Sequence, residues 1–360
     1  MTRATVTGSE GPEPTWPGVL SGLLGGSDLT AGQTAWVMDE VMTGNATSAQ
    51  IAAFAIALRA KGETPAELAG LVSGMLAHAN RLEIAGRSVD IVGTGGDRAN
   101  TVNISSMAAV VAAAAGATVV KHGNRAASSK CGAADLLEGL GIAVALPPEA
   151  VAACVEEVGI GFCFAPVFHP SFRHTASARR EMGVPTVFNF LGPLTNPAQP
   201  AAGAIGCGDA RMAPVMAQVF ADRGADVLLF RGDDGIDELT TTTTSTVWAV
   251  RGGSVTRTVV DPSDLGISRA PAEALRGGDV AVNVGVARKV FAGEPGPVAD
   301  AVALNAAAAL AAHAGLSGDV TADLGSGLTR AQQAMRSGAV ADLVARWTEI
   351  TVRLATAADG

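Results

Sequence analysis

Tyrosine is missing altogether, aromatic residues make up only 4% of the chain, and the four cysteines show no C-x-x-C spacing. Cys131, Cys154, Cys163 and Cys207 fall mostly in apolar surroundings, so they read as reduced core thiols of a cytoplasmic protein rather than a metal cluster. A charged-then-apolar opening segment is lacking, and no apolar run reads as nearing the roughly 18 residues that a membrane-spanning helix needs. Basic surplus is lacking too: a net charge of −9 argues against nucleic acid or an anionic membrane as the main partner. That charge poses a problem for any phosphorylated ligand, which must be drawn in by local cations or metal. No Ser-His-Asp or Cys-His arrangement is apparent, so a reactive side chain is not the evident catalytic device.

Small residues are abundant instead. Glycine occurs 44 times and alanine is plentiful, which suits helices packed tightly on a sheet, and a hydrophobic content of 48% is ample for burial. At 360 residues the chain exceeds one minimal core, so a large domain with a smaller one is the natural arrangement.

The chain is organised around Val89-Asp-Ile-Val-Gly-Thr-Gly-Gly-Asp97 and the run from Asn100 to Ser106. Val89, Ile91 and Val92 read as a short buried strand, broken at Gly93, Gly95 and Gly96, where a missing Cβ lets backbone approach a ligand. Asn103, Ser105 and Ser106 stand before the apolar run Met107–Gly116, where helix caps belong. Strand, glycine turn and helix start together make an anion site. The Walker A pattern fails for want of Gly-Lys-Ser/Thr, and Arg98 stands where a dinucleotide fingerprint needs its third glycine. A second strand, Ala117–Val120, leads into Lys121-His-Gly-Asn-Arg-Ala-Ala-Ser-Ser129, so Lys121, Arg125, Ser128 and Ser129 bring phosphate-seeking chemistry to a second strand end. In open α/β sheets ligands sit at the carboxyl ends of strands, so both loops should line one crevice.

Residues 1–15 lack periodicity and read as a disordered tail. Residues 16–84 read as a compact helical domain. Asp28 is its expected cap for a helix through Val41, while Thr47-Ser48 and Thr64-Pro65 open two more. From Val89 the pattern becomes strands near 89–93, 117–121, 160–164, 203–207 and 226–231, with helices near 105–115, 132–140, 148–158 and 211–223. That alternation means a mainly parallel sheet over 85–167 and 201–360. A long excursion, 168–200, interrupts it with a helix around Pro170–Met182. After Asp233, the β-branched runs Thr240–Val250 and Ser254–Val260 suggest antiparallel strands, with Thr240–Thr244 as a strand start. The fold class is therefore α/β: a small all-helical N-terminal domain plus a large α/β domain.

Three groups of ionisable residues remain to be read. Asp237-Glu238, after Asp233-Asp-Gly, is either a solvated turn or, leaving the same strand-end side as the phosphate loops, a hard-oxygen site of the kind Mg²⁺ prefers. Arg179, with Arg180 and Glu181, reads on its own as a water-facing helix surface. His122 reads either as a satisfied polar residue beside a glycine turn or as an acceptor-binding group.

Gly93-Thr-Gly-Gly-Asp97, Asn103-Ile-Ser-Ser106, Lys121-His-Gly-Asn-Arg125, Arg179-Arg-Glu181, Asn189-Phe-Leu-Gly-Pro-Leu-Thr-Asn-Pro197 and Asp237-Glu238 together resemble the anthranilate phosphoribosyltransferase family, in order and from about Trp16 to the C-terminus. The resemblance implies transfer of phosphoribose from its pyrophosphate donor to anthranilate in tryptophan synthesis. It implies donor contacts at Gly93, Gly96, Asp97, Thr101, Asn103, Ile104, Ser105, Ser106, Lys121, Arg125, Ser128 and Ser129. It implies anthranilate contacts at Gly93, His122, Asn124 and Arg179, the last gripping the carboxylate. Two Mg²⁺ ions on Ser105, Asp237 and Glu238 are implied, as is a homodimer through the helical domain, which the 168–200 excursion rejoins. Two positions depart from the pattern: Ala133 replaces a serine usually counted among phosphate ligands, and Ser106 stands where threonine is common. A pyrimidine nucleoside phosphorylase is the competing enzyme reading, disfavoured by Asp237-Glu238 and the Arg179 helix. A nucleic-acid-binding relative is disfavoured by the acidic charge.

Overall fold

A computed structural model describes residues 13–126 and 130–358. Residues 1–12 of the expected tail, and Ser128 and Ser129 of the second phosphate loop, lie outside the described residues.

Hydroxyl groups open the N-terminal helices. Thr15 caps α1 (Trp16–Leu24), and capping boxes pair Thr30 with Gln33, Thr47 with Gln50 and Thr64 with Glu67 at α2 (Ala31–Met42), α3 (Ser48–Lys61) and α4 (Pro65–Ala77). Each such cap contributes about 1 kcal/mol. Asp28, the expected cap of α2, lies two residues too early. It pairs with Lys61 at 2.7 Å instead, and Thr30 takes the capping role because the capping box requires Gln33 three residues on.

Beyond this unit the chain alternates: β1 (Val89–Gly93), α5 (Ile104–Ala114), β2 (Val119–Gly123), α6 (Ala133–Gly139), α7 (Pro148–Val158), β3 (Ile160–Phe164), α8 (Ala165–Phe168), a 3-10 turn at Pro170–Thr175, α9 (Ala176–Met182), β4 (Ala202–Gly206), α10 (Met212–Asp222) and β5 (Asp226–Gly232). The hairpin β6 (Ser245–Arg251) and β7 (Ser254–Val260) follows, then α11 (Val280–Phe291), α12 (Pro297–Ala314), α13 (Val320–Arg336) and α14 (Ala339–Ala358). The strand order is β3-β2-β1-β4-β5-β6-β7, parallel through β5 and antiparallel over the hairpin. The chain runs outward from β1 to β3, then crosses to the other side of β1 as β4. The β1/β4 boundary is therefore the switch point, where α/β sheets open a crevice.

Three expectations change. First, β2 runs through Lys121 and His122 to Gly123, pairing with β3 in register from Val119 to Gly123, so these two residues are strand rather than loop. Neighbours on a strand point to opposite faces. Second, Thr240–Thr244 precedes β6 as a loop: Thr240 and Thr242 donate to the Asp234 carboxylate, Thr244 and Thr246 to Asp233. Saturating two carboxylates outweighs the β preference of threonine. Third, Pro297–Ala314 is an apolar run of 18 residues with mean hydropathy 1.2 and 72% of it buried. α12 packs on α13, α5 and β4, so it is apolar all round because it is the central helix of the core.

Two apolar clusters divide the interior. One joins α5, α12 and one face of the sheet; the other joins Phe54, Leu58 and Leu71 of the N-terminal helices with Phe188, Phe190 and Leu191 of the excursion and Ile205 and Leu229 on the opposite sheet face.

Candidate active site

The switch point is built on two missing side chains. A Cβ on Gly93, at the end of β1, would lie 2.0 Å from Asp237 Oδ2, and one on Gly206, at the end of β4, would lie 1.5 Å from the Asp237 carbonyl oxygen. Only glycine at both strand ends lets the loop after β5 descend into the crevice. Gly95 N–H then donates to Asp237 Oδ2 at 2.7 Å. The loop past Gly96 carries positive φ at Arg98 (62°) and Asn100 (53°), a strained course for residues with side chains. Backbone bonds from Val102 to Leu275 and from Gly277 to Asn100 hold it there.

Three carboxylates converge in this crevice: Asp97, Asp237 and Glu238 each offer an oxygen within 4.8 Å of the others. Burial, then the nearby Asp97 charge, pushes the Asp237 carboxyl up to about 7. Burial and then Asp237 raise Glu238 well above the usual carboxylate range. Glu238 Oε2 is buried and has no hydrogen-bond partner among the described residues. Unpaired buried carboxylate oxygens are costly unless a cation meets them, and hard oxygen donors suit Mg²⁺.

Lys121 is the counter-charge. Its side chain is buried on the α5 face of β2, where the ammonium donates to the Ile91 carbonyl and lies 3.5 Å from Ser105 Oγ. Burial lowers its pKa to about 8 against the opposing pull of Asp90, Glu238 and Asp237. The ammonium thus stands beneath the carboxylate cluster rather than at the tip of a phosphate loop. Ser105 and Ser106 occupy the first turn of α5, and with Gly96 and Asp97 they leave N–H groups without a backbone acceptor among the described residues. Orphan donors at a helix start suit an anion. Asn103 makes no capping bond. Its amide instead spans Cys131 O (3.0 Å) and Asn283 Nδ2 (2.8 Å), anchoring the start of α5. Ile104 is buried behind it, and Thr101 bridges to Arg276. Arg125 turns away to Asp135 and Glu138 on α6, with its guanidinium 5.4 Å from the Phe164 ring centre.

His122, next along β2, faces the other way. Nδ1 meets the Gly192 carbonyl at 2.9 Å, which makes it the donor and leaves Nε2 buried and without a hydrogen-bond partner among the described residues. Burial lowers its pKa to about 3, so the ring is neutral. Its ring centre is 5.3 Å from that of His169. Asn124 is exposed on the following turn. Arg179 on α9 packs its guanidinium 5.3 Å over Phe172 and has no acidic partner among the described residues. The structure therefore gathers Gly93, Asp97, Ser105, Lys121, Asp237 and Glu238 closely, and leaves Arg125 and Arg179 on other partners.

Residues that the sequence reading missed complete the crevice. Gly206 carries no signal beyond one more glycine in Ile205–Gly208. Asp90 accepts from His122 N (3.1 Å) and Asn196 Nδ2 (2.9 Å), tying β2 to the end of the excursion. A cavity of about 640 Å³ between Asp264–Gly266 and α13 shares no residue with this chemistry.

Comparison with known proteins adds a second line of observation. The family described as glycosyl transferase family, a/b domain, matches residues 85–341, and its helical bundle domain matches residues 17–79. Anthranilate phosphoribosyltransferase of Saccharopolyspora erythraea is 62% identical over 93% of this chain and 95% of its own length; that of Salinispora arenicola is 60% identical over 94% and 97%. The crystal structure of the Thermus thermophilus enzyme superposes with a TM-score of 0.86 at 40% identity, covering 92% of this chain and 99% of that one. The yeast enzyme in complex with phosphoribosyl pyrophosphate and Mg shares the fold at TM-score 0.84 and 24% identity, over 94% and 98%.

Proposed function

The chain belongs to the anthranilate phosphoribosyltransferase family, and on that premise we propose that it transfers phosphoribose from 5-phosphoribosyl 1-pyrophosphate to the amine of anthranilate, the second step from chorismate to tryptophan. The observation that carries the reading is the convergence of Asp97, Asp237 and Glu238 at the switch point, with a buried Glu238 oxygen left unpartnered. Loss of anthranilate fluorescence on adding the donor, with and without Mg²⁺, is the direct test. Persistence of fluorescence with both present rejects the assignment.

Breaking the bond between ribose C1 and pyrophosphate leaves positive charge on the sugar and negative charge on the departing group. The donor groups that would receive that anion are the N–H groups of Gly96, Asp97, Ser105 and Ser106, which have no backbone acceptor among the described residues and are fixed beforehand by the loop and by α5. Thr101, Asn103 and Ile104 shape this cradle, and Arg125 reaches phosphate by releasing Glu138. Asp237, Glu238 and Ser105, with Asp97, would hold Mg²⁺, which when bound supplies Lewis-acid stabilisation to phosphate oxygens. Three carboxylates beside one ammonium leave a deficit that a single divalent ion fills. A second ion of the expected pair would need pyrophosphate oxygens among its ligands.

The amine of anthranilate is neutral and needs no strong base, so positioning does the catalytic work. Arg179, free of an acidic partner, grips the carboxylate, while His122 Nε2 offers an acceptor and Asn124 and Gly93 border the ring. We take 16–84 with 168–200 as one body and 85–167 with 201–360 as the other. Closure between them brings Arg179 to the donor. The same helical body, with Leu24 81% and Ile56 43% exposed on α1 and α3, is the proposed homodimer surface. The buried thiols of Cys131, Cys154, Cys163 and Cys207, none of them in a disulfide among the described residues, fit a reducing cytoplasm.

A further inference from the structure

Asn305 interrupts the alanines of α12 with a side chain that is only 1% exposed. No step of the proposed reaction uses it. Its amide embraces both backbone groups of a single residue: Nδ2 donates to the Leu239 carbonyl at 2.8 Å, and Oδ1 accepts the Leu239 N–H at 3.0 Å. A further Nδ2 bond to the Ala301 carbonyl at 2.9 Å fixes the side chain on its own helix. Leu239 directly follows Glu238. On one side of this pair Asp237 is wedged against Gly93 and Gly206; on the other Thr240 is tied to Ser245 Oγ and Asp234. The Glu238 carboxylate itself has a bare buried oxygen, so its place depends on how its flanks are held. Removing Asn305 would strip both Leu239 peptide groups of their partner in a dry interior, at about 1–3 kcal/mol each, unless the loop moved.

We infer that Asn305 is a positioning residue which, by clamping Leu239, fixes the Glu238 carboxylate and thereby sets the affinity of the three-carboxylate cluster for a divalent cation. The inference rests on the proposed reading of that cluster as a metal site. Outer partners that orient metal ligands change affinity by roughly 10- to 100-fold.

Mn²⁺ binding to the purified protein, read from the electron paramagnetic resonance of free Mn²⁺, tests it without turnover. Asn305→Ala is expected to bind Mn²⁺ at least about tenfold more weakly than the parent. The control is Leu71→Ala, a core truncation in the N-terminal helices, which is expected to lower Tm while keeping the parent affinity. Unchanged Mn²⁺ affinity in Asn305→Ala, or an equal loss in Leu71→Ala, overturns the inference. If the parent itself binds no Mn²⁺, the metal reading fails and takes the inference with it. Should Asn305→Ala not fold, Asn305→Ser carries the same expectation, since one hydroxyl cannot serve both Leu239 groups.

Discussion

The proposed donor side of the crevice and the proposed acceptor side are held in opposite ways. Asp237 is gripped by Gly95 N–H and wedged between two glycines, Lys121 is anchored on Ile91, and Leu239 is clamped by Asn305. Arg179, by contrast, rests on one aromatic ring, and Asn124 is exposed. The groups proposed to hold the donor sit on adjacent strand ends of one sheet, whereas those proposed to hold the acceptor are shared between the sheet and the excursion. A preorganised cradle suits the step that must stabilise a departing anion. A loosely held gripping arm suits a substrate that has to enter first.

The sharpest way to break this contrast is Glu238→Ala. Turnover with Mg²⁺ should fall roughly a thousandfold, since Lewis-acid help to a phosphate oxygen is worth several kcal/mol. The fold should persist, because the buried carboxylate is a burden to the metal-free protein. A melting curve and a turnover assay on the same sample check both halves. Turnover near the parent level would mean that the rigid side is rigid for packing alone.

Much of that rigid side was legible in the sequence because glycine has few uses. Three glycines at the end of an apolar strand demand a close approach, and Gly93 makes one. Threonines before apolar runs marked α3 and α4 for the same kind of reason. What escaped was whatever depends on side-chain partners far along the chain. Lys121 and His122 read as loop because strand propensity stops at Val120, while the pairing with β3 carries β2 to Gly123. Asn305 is one amide in a run of alanines and gives no periodic signal. The Thr240–Thr244 run has β-branched residues in plenty, but its hydroxyls are spent on Asp233 and Asp234.

Asp90 belongs to both sides, since it supports His122 N and Asn196 while lying near Lys121. Burial raises its carboxyl from 3.8 to about 6. A raised acid binds its proton more tightly folded than unfolded, so its stabilisation is present below about pH 4 and is lost as pH climbs through about 6. The loss is on the order of 3 kcal/mol in the parent and is absent from Asp90→Asn. Urea unfolding at pH 4 and pH 7 should therefore show the deficit of the variant shrinking by that amount. A deficit independent of pH would remove Asp90 from the comparison as a buried charge.

On the acceptor side, Arg179→Ala should raise KM for anthranilate roughly 10- to 100-fold, the worth of a charge-assisted fork. KM for the donor should stay within about twofold, because Arg179 lies on the other of the two proposed bodies. Initial-rate kinetics with each substrate varied in turn measure both. Equal rises would place Arg179 in the donor cradle and erase the division between the two sides.

The smallest effect belongs to Arg125, and it tests where the boundary between the sides runs. Its ion pairs with Asp135 and Glu138 are about half exposed, so Arg125→Ala should cost less than about 1 kcal/mol of stability, and less still in high salt. If the guanidinium leaves Glu138 for phosphate when the donor binds, the same variant raises donor KM a few-fold and leaves anthranilate KM alone. That pattern would make Arg125 a donor-side group that moves, with Glu138 holding it ready until the donor binds. An unchanged donor KM would confine Arg125 to the surface of α6 and leave the cradle to backbone amides and carboxylates.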